Sequence, residues 1–404
     1  MKILKLREAK SNWTLLLPIF IGLYLLFSMI SISISQIFIS LALICWIFVI
    51  IRKEEKFTFP SFFWPLIAYI ILSLVSSFLS VNPKLSLKDS RELLLFLIVP
   101  IVYVTFASKK TLKRANFALL LSGSLNCIYA ISYFLFKYFS LKHYPNERIT
   151  GFIGHWMTQA GLLLLFSCMA LSMFLFSSGK VRYLWGLGFL LSLIAITLTL
   201  TRNAWVGLVC SISLILLFYK PRALIIVPFM IGFLYLLSPQ PVKKRALSIF
   251  NPEDPTNKSR IELFKVGMKV IRDYPLFGTG PDTVDKVFQN QKYGLSDMTK
   301  TAVHLHNDIL QTGAERGIPA LVAWMTFIVW VFLSLLKLIK NKDPSLRPFT
   351  IAALAALLGL FIAGLFEYNF ADSEITMLFL YLITIPFSLA RILEKTESQP
   401  ARSH

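Results

Sequence analysis

The sequence predicts an all-α membrane protein, a polytopic bundle of about twelve transmembrane helices carrying one long polar loop. Three observations predict it. The composition is 56% hydrophobic and only 15% charged, with a mean hydropathy of +0.67. The apolar residues gather in runs close to the roughly 20 residues that a helix needs to cross a bilayer. These runs are continuous rather than alternating, which argues against a β-barrel. A length of 404 residues would permit two or three soluble domains. The repeated runs argue instead for one bundle in three parts: residues 1–238, a polar loop at 239–318, and residues 319–404.

The basic segment 1–10 precedes an apolar run at 13–30 with no small-residue cleavage pattern after it. It is expected to be an uncleaved first helix. Further spans are expected near 33–51, 61–80, 92–107, 116–138, 157–177, 183–200, 203–219 and 222–238, and beyond the polar loop near 319–339, 349–366 and 374–391. The net charge of +20 could suggest nucleic acid. Its distribution suggests topology instead. With residues 1–10 inside, every short inside turn is basic: Arg52/Lys53/Lys56, Lys109 to Arg114, Lys180/Arg182, Lys220/Arg222 and Lys340 to Arg347. The opposite face then receives 82–92, 140–155, Thr201-Arg202-Asn203, the long loop and 367–373. Cys45, Cys127, Cys168 and Cys210 lie in apolar segments with no zinc or disulfide spacing.

Within the loop, Ser259 followed by Glu262 reads as a capping box. Ile261, Phe264, Met268 and Ile271 recur at helical spacing, predicting an amphipathic helix over 260–274 that could lie on the bilayer surface. Pro275 and Gly278-Thr279-Gly280-Pro281 predict sharp turns. A second short helix is expected from Asn307 or Asp308, broken at Gly317-Ile318-Pro319.

Candidate chemistry collects on the outer face. Arg202 lies at bilayer level, where a charge is costly unless partnered or functional. It reads as an anion clamp or as an interfacial arginine reaching the headgroups. Arg260, at the expected start of a helix, suits phosphate binding; the alternative is a solvated surface arginine. His304 and His306 admit three readings: a metal site, a general base, or structural hydrogen bonding at a helix start. Further ligands for a metal are not obvious beyond Asp308, Asp282 or Asp285. Glu367, Asp372 and Glu374 could orient a histidine or bind an arginine, or be ordinary loop charge. Arg148 and His155 are candidates to line the same cavity.

These residues resemble the O-antigen ligase superfamily, which also holds O-antigen polymerases and protein O-oligosaccharyltransferases. Thr201-Arg202 resembles the family's arginine at the outer end of a mid-chain span. Arg260 followed by Pro275-Leu276-Phe277-Gly278-Thr279-Gly280 resembles its loop arginine and Pro-Leu-Phe-Gly-x-Gly signature. His306-Asn307, nine residues before Gly317, resembles its His-Asn-spacer-Gly pattern. Ile318-Pro319-Ala320-Leu321 departs from the small-residue run that often follows in ligases.

The resemblance implies a GT-C fold and an inverting glycosyltransferase of the bacterial inner membrane, active at the periplasmic face, with both termini cytoplasmic. It needs no metal and no other cofactor. The donor would be an undecaprenyl (polyprenyl) diphosphate-linked glycan and the acceptor a lipid A-core sugar; membrane lipids surround the chain, and nucleic acid is no partner. Arg202 and Arg260 would hold the diphosphate and His306 would act as base. Asn307, His304, Arg148, Glu367 and Asp372 would help bind substrate. An O-antigen polymerase with a lipid-linked acceptor, a lipid-linked glycan flippase, and a non-catalytic glycan-binding assembly protein remain as alternatives.

Overall fold

The computed structural model describes residues 12–141, 148–296 and 299–397. The segment 1–10 and part of the 140–155 loop, both used above for orientation, lie outside the described residues. Among the described residues every regular element is helical.

Among the described residues, eight helices are long and apolar enough to cross a membrane: Ile32–Ile51, Lys109–Ser140, Trp156–Phe176, Val181–Leu198, Arg202–Tyr219, Asp308–Ile339, Arg347–Gly364 and Ser373–Glu397. Three shorter apolar helices, Trp13–Phe27, Phe63–Phe78 and Pro221–Leu237, fall on the first, third and ninth expected spans. The stretch expected at 92–107 is divided into a 3-10 segment, Ser90–Leu97, and a short α-helix, Ile98–Thr105. Arg91 and Glu92 make its first turn polar, and Pro100 has no N–H to extend the ladder backwards. The helix expected from 116 instead starts at Lys109, because Ser108 Oγ accepts the Thr111 N–H at 3.3 Å and no breaker follows.

Trp156–Phe176, Arg347–Gly364 and Ser373–Glu397 form the centre and are buried along most of their length. Small residues let them approach their neighbours closely. Gly207 faces the Gly359 carbonyl, where a Cβ would overlap it, and Ser211 Oγ donates to Ala355 O at 2.8 Å. The basic turns gather at one end of this bundle. Lys109 pairs with Asp343 at 2.9 Å, and Arg347 donates to Phe218 O at 2.9 Å.

The polar loop departs from expectation at the start of its amphipathic helix. That helix runs from Pro255 to Asp273 and is capped by Asp254, whose carboxylate accepts from the Thr256 and Asn257 N–H groups. Asp followed by Pro at the first helical position is a stronger start than Ser259, since proline fixes φ and spends no donor. Arg260 is therefore in the second turn, not at the helix start. Glu262 does not close a capping box; it accepts from Ser296 N and Oγ, each at 2.6 Å.

The second loop helix begins at Asp308 and is broken at Gly317 (φ 80°, ψ 170°), after which the chain continues into the membrane-length helix. The Phe277-Gly278-Thr279-Gly280 turn explains the break. Thr279 N and Gly280 N donate to the freed carbonyls of Ala314 and Glu315 at 2.9 and 2.8 Å, and Ile318 N donates to Pro275 O at 2.8 Å. Ser76 Oγ bridges Phe277 O and Glu315 O. Gly278 has a positive φ, and a Cβ there would overlap the Glu315 carbonyl. Gly278→Ala is expected to destabilise the fold by about 2 kcal/mol or more, read as a lowered Tm of the purified protein; an unchanged Tm would show that the turn can rearrange freely.

Candidate active site

Three segments far apart in the chain meet at the end of the bundle away from the basic turns. The first is the start of the Asp308 helix. Asn307 caps it by accepting from Leu310 N–H at 2.9 Å, and its own Nδ2 donates to Leu365 O at 2.8 Å. That bond ties the loop to the end of the Arg347–Gly364 helix and sets Glu367 beside His306. His306 itself is held at φ +50°, a left-handed conformation unfavourable for a bulky residue. Such strain persists where the surroundings over-determine it, and it clusters at functional sites.

His306 Nδ1 lies 2.8 and 3.0 Å from the two carboxylate oxygens of Glu367. Arg260 Nη2 reaches Glu367 Oε2 at 3.4 Å, and His304 Nε2 lies 3.7 Å from Oε1. The two imidazoles meet edge to face with centroids 4.2 Å apart. Glu367 is only 4% exposed. Burial pushes its carboxyl pKa up, but the His306 hydrogen bond, the positive charge that the two imidazoles carry when protonated, and the charge of Arg260 outweigh it and hold the pKa below the usual value. An ionised carboxylate can only accept, so His306 Nδ1 carries the hydrogen. Nε2 is then the basic nitrogen, and it has no hydrogen-bond partner among the described residues. His304 differs: burial pushes it down to about 4, against the pull of Glu367, so it is neutral at pH 7.

Arg260 also belongs to a cluster of arginines that act on one another through charge. Arg202 is the first residue of its helix and 5% exposed. Its Nη1 donates to Ser248 O and Oγ at 2.9 and 2.8 Å, and its Nη2 to Asp254 at 3.3 Å. Arg245 Nε donates to Leu200 O at 3.3 Å. Arg148 lies over the Trp156 ring at 5.3 Å. Burial, followed by the charges of Arg202 and Arg148, pushes the Arg245 pKa down to about 10. Arg148 is lowered by burial and by Arg202. Arg260 is lowered by burial and Arg202, against the opposing charge of Glu367. Its Nε is buried without a partner. Among the described residues, Asp254 and Glu367 are the carboxylates set against these four guanidiniums, which leaves a positive excess there. Nothing in the sequence pointed to Arg245 alone; the signal was the Lys243-Lys244-Arg245 run on a face where basic residues need a reason.

Two cavities flank the histidines. One of about 360 Å³ is lined by Arg260, His306 and Asn307, with Phe264, Leu310 and Phe366 as its apolar wall. The other, about 220 Å³, is lined by His304 together with Asp89, Asp282, Glu315, Arg316 and Tyr368. Arg202 lines neither; it acts on Arg260 through charge. Asp372 is also apart from Glu367. It accepts from Thr158 Oγ1 at 2.9 Å, and Thr158 meets His155 Nδ1 at 3.1 Å. Burial pushes the Asp372 carboxyl up to about 7, despite that hydrogen bond.

His304, His306 and Glu367 each offer a ligand atom within 4.8 Å of the others. Asp308 and Asp282 are not part of this set; Asp308 accepts from Phe370 N instead. Two imidazoles and a carboxylate are ligands that zinc uses. Here the carboxylate is already shared with Arg260, and the surrounding guanidiniums oppose a further divalent cation, so the residues fit such an ion poorly.

A family model described as O-antigen ligase matches residues 187–325, a stretch that holds Arg202, Arg245, Arg260, His304 and His306 and ends before Glu367. None of the curated proteins compared with the chain matches it.

Proposed function

We propose, from the premise that residues 187–325 carry the O-antigen ligase domain and place the chain in that superfamily, that this multi-pass membrane protein is an inverting glycosyltransferase. It moves a glycan from a polyprenyl diphosphate carrier to a hydroxyl of the lipid A-core, as an O-antigen ligase does. The observation that carries the reading is the arginine cluster with uncompensated charge beside the His306–Glu367 pair. A diphosphate diester brings two negative charges, and four guanidiniums set against Asp254 and Glu367 leave two positive charges to meet them. Arg260 is the nearest clamp, with donors to spare and the planar fork that matches phosphate oxygens. Arg202, Arg245 and Arg148 supply the field behind it.

In the reaction, His306 Nε2 takes the proton of the acceptor hydroxyl. The hydroxyl oxygen forms its bond to the anomeric carbon as the bond from that carbon to the diphosphate oxygen breaks. The electron pair leaves with the diphosphate, whose charge the arginines hold. Glu367 orients the imidazole and stabilises the imidazolium, the role that the carboxylate plays in a triad. The cavity at Arg260 and His306 is the donor side. The acidic cavity at His304 repels phosphate and takes the neutral acceptor sugar, whose hydroxyls the carboxylates can bind. The bundle is of the GT-C type with about twelve spans, the arrangement 1–238, 239–318 and 319–404 separates membrane parts from catalytic loop, and the site faces the periplasm across the bacterial inner membrane with both termini in the cytoplasm. The basic turns at the other end support that orientation.

The test is transfer by the purified full chain with a defined polyprenyl diphosphate-linked glycan, offered either lipid A-core or a second lipid-linked glycan. Product on lipid A-core alone is expected. Chain extension of the lipid-linked glycan alone would make the protein a polymerase, and no product on either would overturn the reading. Transfer is also expected to survive EDTA, since guanidiniums do the charge stabilisation here. Loss on chelation that a divalent ion restores would move His304, His306 and Glu367 to a metal role.

A further inference from the structure

A cavity of about 880 Å³ is at the other end of the bundle, among the basic turns. Its rim carries Lys109, Lys110, Lys113 and Arg114 from one helix and Arg182 from another, and no acidic residue lines it. Lys109 is held by Asp343. Lys110, Lys113, Arg114 and Arg182 have no ion pair with a carboxylate among the described residues. Arg182 lies over the Phe174 and Tyr183 rings at 5.7 and 5.1 Å, and its Nε is buried without a partner.

The backbone adds to this charge. The helices Lys109–Leu141, Val181–Leu198 and Arg347–Gly364 all begin at the cavity, each bringing the positive end of its dipole, against one carboxyl end from Trp156–Phe176. None of the three has an acidic residue in its first turn, where one would normally offset the dipole. The lining also carries the aromatic side chains Phe117, Phe176, Trp185 and Phe349.

Topology alone explains basic turns; it does not explain a cavity with converging helix starts, bare cations and an aromatic interior. We propose that this cavity binds an anionic phospholipid, its phosphate among Lys110, Lys113, Arg114 and Arg182 and its acyl chains against the aromatic wall. Basic pockets between membrane helices recognise anionic headgroups in this way. The site is separate from the one at His306, so it stands whether or not the glycosyltransferase reading does.

The probe is phosphatidylglycerol, with phosphatidylcholine as the neutral control, added to the full-length protein in detergent and counted per protein by native mass spectrometry. Wild-type protein is expected to retain phosphatidylglycerol over phosphatidylcholine, with added salt weakening only the former. Lys113→Gln, Arg114→Gln and Arg182→Gln together are expected to weaken phosphatidylglycerol roughly fivefold per charge removed and leave phosphatidylcholine unchanged. Equal retention of the two lipids by wild type, or phosphatidylglycerol binding insensitive to salt, would overturn the site even if the triple variant does not fold. Displacement of phosphatidylglycerol by polyprenyl monophosphate at far lower concentration would overturn the assigned occupant.

Discussion

His306→Ala is expected to abolish glycan transfer while leaving donor binding close to wild type. Loss of a positioned general base costs typically about 10²–10⁴-fold, and here the same change also removes the charge that forms as the hydroxyl proton is taken. In the proposed mechanism the donor's affinity rests on the arginines, so a binding measurement with polyprenyl diphosphate separates lost chemistry from lost fold. Alanine is a blunt probe at φ +50°, because the backbone strain remains without the contacts that hold it. His306→Asn is the better companion: asparagine tolerates the left-handed region but has no basic nitrogen at neutral pH. Both variants are expected to be equally inactive. Normal turnover by either would remove His306 as the base. Glu367→Gln is expected to be milder, since Nδ1 keeps a hydrogen-bond partner but the imidazolium loses its counter-charge.

Much of the architecture was legible because it depends on local pattern. Continuous apolar runs such as 32–51 and 156–176 are long enough to read as membrane-length helices, and the Asn307 cap and Gly317 break are written in residues whose backbone demands are local. Ser259 predicts too late a start for the Arg260 helix; Asp254 followed by proline at the first helical position is the stronger sign. The site itself was less legible. Glu367 could be read as a partner for a histidine or for an arginine, and the structure has it touching both. Nothing local indicates that, since the pairing depends on Asn307 binding the Leu365 carbonyl. The acidic cavity was invisible for the same reason: Arg316 meets Asp89 at 3.6 Å and Tyr368 at 3.3 Å only once three separate segments are folded together. Serine and glycine did the inconspicuous work, with Ser76 and Gly278 fixing the turn that presents Glu315 and Arg316.

Arg260→Lys is the second large effect expected, and the substitution is informative because it keeps the charge. Arg260 is 18% exposed, its Nε is unpartnered, and its one hydrogen bond, to Glu367, is long at 3.4 Å. A guanidinium so under-used in a buried setting has donors left for the planar oxygen pairs of the proposed diphosphate. Lysine offers one compact, strongly hydrated ammonium in place of the fork. Losing one charge-assisted hydrogen bond of the pair costs about 1.5–3 kcal/mol, so kcat/KM for the donor is expected to fall by roughly 10- to 100-fold. If the fork binds ground state and transition state alike, the loss will sit in KM; if it tightens on the departing diphosphate, it will sit in kcat. Arg260→Ala should be worse than either outcome, because it also strips a counter-charge from the buried Glu367 and so disturbs His306. An unchanged rate in Arg260→Lys would reduce Arg260 to a counter-ion for Glu367, and the diphosphate would then have to be sought at Arg245 and Arg148.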